Sequence, residues 1–361
     1  MIPIAKPIIT DKEKEKIMQV MDSGMLACGQ FVKDFEEKFS DYIGCNYGIA
    51  TSSGTTALDI ALKSAGIEEG DKIITTPFTF IASSNSILYS GAEPVFVDID
   101  RNTFNISPDL IREKMEENPG IKALLIVHLY GLPCNMDEIM DIVDEYNLIL
   151  IEDCAQAHGA EYCGKKVGTF GDVAIFSFYP TKNMTTGEGG IVLTSNKEIM
   201  ERARLLVNHG QSSRYYHEIL GYNYRMTNIA AAIGLVQLEK LDTFNKQTQE
   251  NAAYLTDNLN NLEYIEVPQV PKNYFHSFHQ YTIKVEQREQ LISCLQEKEI
   301  GYGVHYPIPV YKQPFYQKQG YDRLNLPVCE ELSKKVISLP VHPSLSKEDL
   351  KLIVETIKSF K

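Results

Sequence analysis

Apolar positions along this chain switch repeatedly between a helical and a strand-like period. Thr10 and Glu13 form a T-x-x-E capping box, and Ile17, Val20 and Met21 follow at helical spacing. Phe31, Phe35, Phe39 and Tyr42 make a second stripe, which Gly44 can end as a C-cap. Both stripes are expected to face the core. After the turn SSGTT at 52–56, Leu58, Ala61, Leu62 and Ala65 mark a helix ending at Gly66, and KIITT at 72–76 reads as a strand. The alternation continues through a helical ASSNSILYSG, strand PVFVDID, a helix over 107–117, strand ALLIVHLYG, a helix over 136–146 and strand LILIED, which ends at Asp153. Near-continuous apolar strands separated by helices predict an α/β fold with a buried, mostly parallel sheet.

Two further strand-like runs, VAIFSFY at 173–179 and GIVLTS at 190–195, enclose a glycine-rich loop that carries Lys182. From about 225 the pattern becomes one long helix through Ala231, Leu235, Leu238 and Leu241, with a polar continuation to about 261. The remainder reads as strand HQYTIKV, a helix over 287–299, strand YGVHY at 302–306, a loop rich in proline and tyrosine, and a last helix capped by Ser346 and Asp349. That last helix turns Leu350, Ile353, Val354 and Ile357 inward. We therefore expect a large domain over 1–240 and a smaller C-terminal α/β domain over 241–361.

Composition narrows the function classes. The chain is 43% hydrophobic and 23% charged, as in an ordinary globular protein. Its 35 Lys and Arg against 48 Asp and Glu give a net charge of -13, without a basic cluster, so neither nucleic acid nor an anionic membrane surface is expected as a partner. Seven cysteines without a C-x-x-C pair argue against a disulfide framework or a zinc site, and no metal is expected. The N-terminus lacks an apolar signal-peptide region, and no run approaches the roughly 18 apolar residues of a membrane span. A cytoplasmic location is the expectation.

The candidate chemistry lies at two strand ends. Asp153, in IEDCAQAHGA, stands at one, and Lys182, in SFYPTKNMTTGEGG, lies just past another. Ligands of open α/β sheets bind beyond the carboxyl ends of strands, so the two can share a crevice. Gly54 and Thr55 open a helix whose free N–H groups suit an anion, and Ser177 can add a hydroxyl.

Together these segments resemble the DegT/DnrJ/EryC1/StrS family of sugar aminotransferases, among the fold-type I enzymes of pyridoxal 5'-phosphate (PLP). The likeness runs from PIAKPIIT through TPFTFIASSN, EPVFVDID, HLYGLPCNMD and GYNYRMTNIAAAIGLVQLEKL to HYPIPVYKQP. It implies a seven-stranded, mostly parallel sheet between helices plus the smaller domain. It also implies that Lys182 holds PLP as a Schiff base and then moves a proton as general base and acid. Asp153 would face the pyridine nitrogen, Gly54, Thr55 and Ser177 the phosphate, and Gln156 the 3'-oxygen. Phe80 would stack on the ring, with Phe78 as the competing choice. Asn223 is expected to reach the phosphate held by the neighbouring subunit, which makes a homodimer with shared sites part of the reading. His158 and His209 receive no primary role.

By the same resemblance, L-glutamate donates the amino group and a keto carbon, C3 or C4, of a nucleoside-diphosphate hexose receives it. Arg225 is a candidate for substrate anions, and His305 and Tyr306 are candidates for the sugar. Alternatives are a PLP-dependent sugar dehydratase, in which a histidine would replace the lysine, and a non-catalytic PLP-binding regulator. An NAD(P)-dependent reductase would need a G-x-G-x-x-G after a first strand, which this chain lacks.

Overall fold

The computed structural model describes residues 1–360. Seven strands form the central sheet: β1 (Tyr47–Thr51), β2 (Lys72–Thr75), β3 (Glu93–Phe96), β4 (Ile121–Val127), β5 (Ile149–Asp153), β6 (Val173–Ser177) and β7 (Gly190–Thr194). Their spatial order is β1-β7-β6-β5-β4-β2-β3, and β7 alone runs against the rest. Crossover helices cover the sheet, so β5, β6 and β7 are almost wholly buried and carry apolar side chains on both faces.

Helices α1 (Asp11–Ser23) and α2 (Gln30–Ile43) precede the sheet, and α3 (Gly54–Ser64) and α4 (Ala82–Tyr89) follow β1 and β2. At the start of α1 the Glu13 carboxylate accepts from the Thr10 N–H and hydroxyl at 2.8 and 2.7 Å, closing the expected box. The stripe behind it departs from expectation. Val20 is buried, Ile17 is only half-covered, and Met21 is exposed beside Met18, Met25 and Leu26. The reason is Glu13, which occupies the buried side of the helix and takes hydrogen bonds from Gln237 and Lys240 at 2.7 and 2.6 Å. The aromatic stripe of α2 does enter the core, where Phe35 and Phe39 meet Phe178 edge-on, both at 5.1 Å.

After α5 (Pro108–Glu117), α6 (Met136–Tyr146) and α7 (Lys197–Val207), the helix α8 runs unbroken over Asn228–Leu259. Residue 240 lies inside it. Ala231, Leu235 and Leu241 pack with the aromatic core beneath α2, whereas Ala252, Leu255 and Leu259 belong to a second core. That second core surrounds the antiparallel strands β8 (Tyr281–Val285) and β9 (Val336–Leu339) together with Ile265–Glu266. Residues 302–306, expected as a strand, make one bridge, from Gly303 to Ser338, and otherwise form a loop. Their alternating Tyr, Val and Tyr imitate a strand, but Pro307 and Pro309 deny the next residues two ladder N–H groups. The N-terminal segment crosses between the two cores: Ile2 bridges Ile300, and the Ile8 carbonyl accepts from Gln237 at 2.9 Å. No helix among the described residues is long and apolar enough to cross a membrane.

Candidate active site

A cavity of about 620 Å3 opens at the carboxyl ends of β4, β5 and β6, walled on the far side by the N-terminal segment and the 305–306 loop. Gly54, Thr55, Phe80, Asp153, Gln156, Ser177, Lys182, His305 and Tyr306 all line it. Residues more than 250 positions apart are thus gathered where the strand-end rule places them.

Asp153 closes β5 and is 3% exposed. Its Oδ2 accepts from the Ser83 hydroxyl at 2.7 Å and its Oδ1 from the Ala155 N–H at 3.0 Å. Burial raises its pKa, and these two hydrogen bonds together with the charge of Lys182 oppose the rise. Ser83 in turn pairs with the Thr79 hydroxyl at 3.1 Å. Neither Ser83 nor Thr79 stands out in the sequence, since a hydroxyl in TFIASSN reads as an ordinary helix-start residue.

Lys182 follows the β6 strand in a tight turn, its N–H on the Tyr179 carbonyl at 2.9 Å. The side chain is largely buried, and within the described residues its Nζ has neither a hydrogen bond nor an ion pair. Burial pushes the amine down to about 8, against the pull of the Asp153 carboxylate. A lysine set this way is a nucleophile near neutral pH.

Opposite Lys182, Ser53 caps α3 by accepting from the Thr56 N–H at 3.2 Å. The N–H groups of Gly54 and Thr55 have no acceptor within the described residues, which leaves an anion cradle on the positive end of the helix. Glycine is needed at 54 because a Cβ there would stand 2.7 Å from the Ser177 Cβ and 2.9 Å from its Oγ. That close approach brings the Ser177 hydroxyl to the same cradle.

Of the two phenylalanines, Phe80 presents its ring to the cavity, whereas Phe78 is fully buried and stacks on Phe104 at 6.3 Å. Gln156 is held at both ends, accepting from the Tyr130 N–H at 2.9 Å and donating to the Tyr306 hydroxyl at 3.0 Å. His305 shares a hydrogen bond with Ser338 at 3.0 Å, and burial, then the charge of Lys182, bring it down to about 4, so it is neutral at pH 7.

Asn223 and Arg225 stay outside this cavity. Asn223 is exposed and bridges Asn208, whose side chain also accepts from Arg225 at 2.6 Å. His158 is buried against Phe176 and Phe178 at 5.3 and 5.7 Å, with neither ring nitrogen hydrogen-bonded, and burial lowers it to about 3.

The buried group His128, Glu152 and Cys154 brings ligand-type atoms within 4.8 Å of one another. Hydrogen bonds already employ the Glu152 and His128 atoms of this group. Glu152 accepts from the N–H groups of Gly168, Phe170 and Gly171, all at 2.8 Å, and pairs with His128 at 3.1 Å, while the other His128 nitrogen accepts from the Cys134 N–H at 3.0 Å. The group is a strut that ties the 168–171 loop to β5 directly before Asp153.

Comparison with known proteins matches this chain to one family over nearly its whole length. The chain is 41% identical to a GDP-perosamine synthase of Escherichia coli O157:H7, covering 99% of this chain and 98% of that protein. It is 39% identical to a dTDP-3-amino-3,6-dideoxy-alpha-D-galactopyranose transaminase of Aneurinibacillus thermoaerophilus, covering 97% and 95%. Its fold superposes on the crystal structure of DesV of S. venezuelae in complex with a ketimine intermediate with a TM-score of 0.93, at 34% identity and coverage of 96% and 94%. With the family model matching residues 7–358 as well, the chain belongs to the DegT/DnrJ/EryC1/StrS aminotransferase family.

Proposed function

We propose that this chain, a member of a PLP-dependent aminotransferase family, transfers an amino group from L-glutamate to C3 or C4 of a keto-hexose carried on a nucleoside diphosphate. The observation that carries the reading is the buried, depressed amine of Lys182 in one cavity with the pinned carboxylate of Asp153 and the open N–H groups of Gly54 and Thr55. These residues fit PLP in both charge and order. Gly54, Thr55 and Ser177 would receive the phosphate, Phe80 the ring face and Asp153 the pyridine nitrogen. The second N–H of the Gln156 amide would reach the 3'-oxygen. When bound, the cofactor supplies the electron sink for the carbanion. Lys182 would hold the cofactor and would move the proton as general base and acid.

His305 and Tyr306 wall the side from which the sugar enters. Among the described residues, Lys182 is the one Lys or Arg side chain lining the cavity, so a diphosphate needs a positive partner from elsewhere. Arg225 of a second copy would meet that need, and Asn223 of that copy would reach the cofactor phosphate. The neighbouring hairpin, Gln211–Ser213 with Tyr216–His217, exposes Tyr215 and Tyr216, and Leu220 just after it is exposed as well, apolar surface that a second copy would cover. The reading thus includes a homodimer with shared sites. Seven free cysteines favour a reducing cytoplasm.

The test is a mass-spectrometric screen of the pyridoxamine-loaded enzyme against 3-keto and 4-keto hexoses linked to GDP, UDP and dTDP. We expect one of them to become an amine, with glutamate restoring the pyridoxamine form. A visible PLP band that no amino donor bleaches, together with no aminated sugar, would replace this reading with a non-transaminating, regulatory one.

The amine supplies a second expectation. Lys182 attacks as the neutral amine, so capture of PLP by the apoenzyme should accelerate about tenfold per pH unit below pH 8 and level off above it. Stopped-flow absorbance measures this directly. A rate still climbing through pH 10 would mean an ordinary, solvated lysine.

A further inference from the structure

Tyr130, in the HLYG segment, has no task in the reading above. It follows β4 in the three-residue turn Leu129–Gly131, at φ 59° and ψ 2°. This is the left-handed region, disfavoured for a bulky side chain and retained only where the surroundings over-determine it. The surroundings here do so. The Tyr130 N–H donates to the Gln156 Oε1 at 2.9 Å, and its carbonyl accepts from the Gln280 N–H at 3.2 Å. Its ring meets Phe104 edge-on at 5.4 Å, and its hydroxyl donates to the His305 carbonyl. At the next residue, Gly131, a Cβ would lie 2.5 Å from the Ser277 Oγ and 3.0 Å from the His279 nitrogen. The turn is therefore pressed against the segment that leads into β8.

These contacts close a ring. Tyr130 holds Gln156 through its N–H, Gln156 holds the Tyr306 hydroxyl at 3.0 Å, and the preceding residue, His305, is held by the Tyr130 hydroxyl. Tyr130 itself is 3% exposed and does not line the cavity. We propose that Tyr130 is a positioning residue: its hydroxyl fixes the 305–306 loop while its N–H holds Gln156, so that one buried residue outside the cavity sets the sugar-facing loop through its side chain and the cofactor-facing amide through its backbone. This inference rests on the function proposed above for His305, Tyr306 and Gln156.

Tyr130→Phe tests it in the holoenzyme, because it keeps the N–H, the ring and the turn and removes one hydrogen bond. The loop is flanked by two reporters, the Gly303 amide on the Ser338 carbonyl at 3.0 Å and the Val310 amide on the Pro77 carbonyl at 2.9 Å. Hydrogen exchange at these amides should rise on the order of tenfold, the scale of one lost hydrogen bond, while the central sheet exchanges as in the wild type. KM for the sugar found in the screen should rise on the order of tenfold, with kcat and the glutamate half-reaction within about twofold. Wild-type exchange at both amides would overturn the proposal. So would equal losses in both half-reactions, or exchange raised uniformly over the chain, since either marks a residue that only supports the fold. Should the wild type aminate no sugar, the function reading fails by itself, and the exchange at Gly303 and Val310 still decides the role of Tyr130.

Discussion

Lys182→Ala is expected to leave a folded, colourless protein with transamination reduced roughly 10^4-fold or more, the scale of losing a positioned proton-transfer group. The fold should tolerate the change. The turn at 182 is held by its backbone N–H on Tyr179, not by the side chain, and no ion pair is broken. Removing an amine that burial depresses to about 8 also relieves a desolvation cost, so the thermal midpoint should stay within a few degrees of the wild type. The losses should fall on chemistry, because the proposed function gives the same amine both the anchoring of the cofactor and the proton transfer. Absorbance after adding PLP and the intact mass after borohydride reduction check the anchor, and amination assays check the shuttle. A borohydride-stable adduct on the variant would place the anchor on another lysine and dissolve the site as described.

Asp153→Asn is expected to have the second-largest effect, a fall in kcat/KM on the order of 10^3-fold, comparable to removing one preorganised electrostatic group. Asparagine preserves volume; its oxygen can accept from the Ala155 N–H while its NH2 donates to the Ser83 hydroxyl, which can turn its own proton to Thr79, so the pocket should survive. What is lost is the negative charge that would keep a pyridine nitrogen protonated. The sign of a linked effect follows from the same charge. Asp153 raises the pKa of Lys182, so its neutralisation should lower that pKa further and move the pH profile of PLP capture below the wild-type inflection near 8. A drop smaller than tenfold, or a profile shifted upward, would show that the carboxylate does not act on the ring and the amine as argued.

Much of this candidate site could be singled out in the chain because the segments that carry it are contiguous and together resemble a family's motifs. A carboxylate at the end of an apolar strand, a lysine in a glycine-rich loop after another, and glycine and threonine opening a helix each leave a contiguous signal. Residues that support them leave none. Ser83 reaches Asp153 across 70 positions of sequence, and Gln156 meets Tyr306 across 150. In the sequence both are common polar residues, and only the packing reveals the partner. Tyr130 is a sharper case, because the sequence around it reads as the end of a strand while the backbone turns left-handed.

The misreadings have the same origin. The apolar stripe of α1 pointed to a core face, but a buried carboxylate capped by Gln237 and Lys240 took that place, and Met21 faces outward. The alternation of YGVHY suggested a strand, yet the residues serve as a loop that brings His305 and Tyr306 to the cavity. Periodicity reports which side chains can be buried together, not whether a neighbouring strand is there to pair with.

The amino-acid sequence by itself determined the order of most helices and strands and the burial of the sheet, because these follow from short-range periodicity and capping, and it singled out Lys182 and Asp153 as the proposed reactive pair through the family resemblance of the segments that carry them. The tertiary structure alone decided the depression of the Lys182 amine, the clamp on Asp153 and the junction at Tyr130. All three arise from desolvation and from hydrogen bonds between distant segments, which exist only once the chain has closed around the cavity.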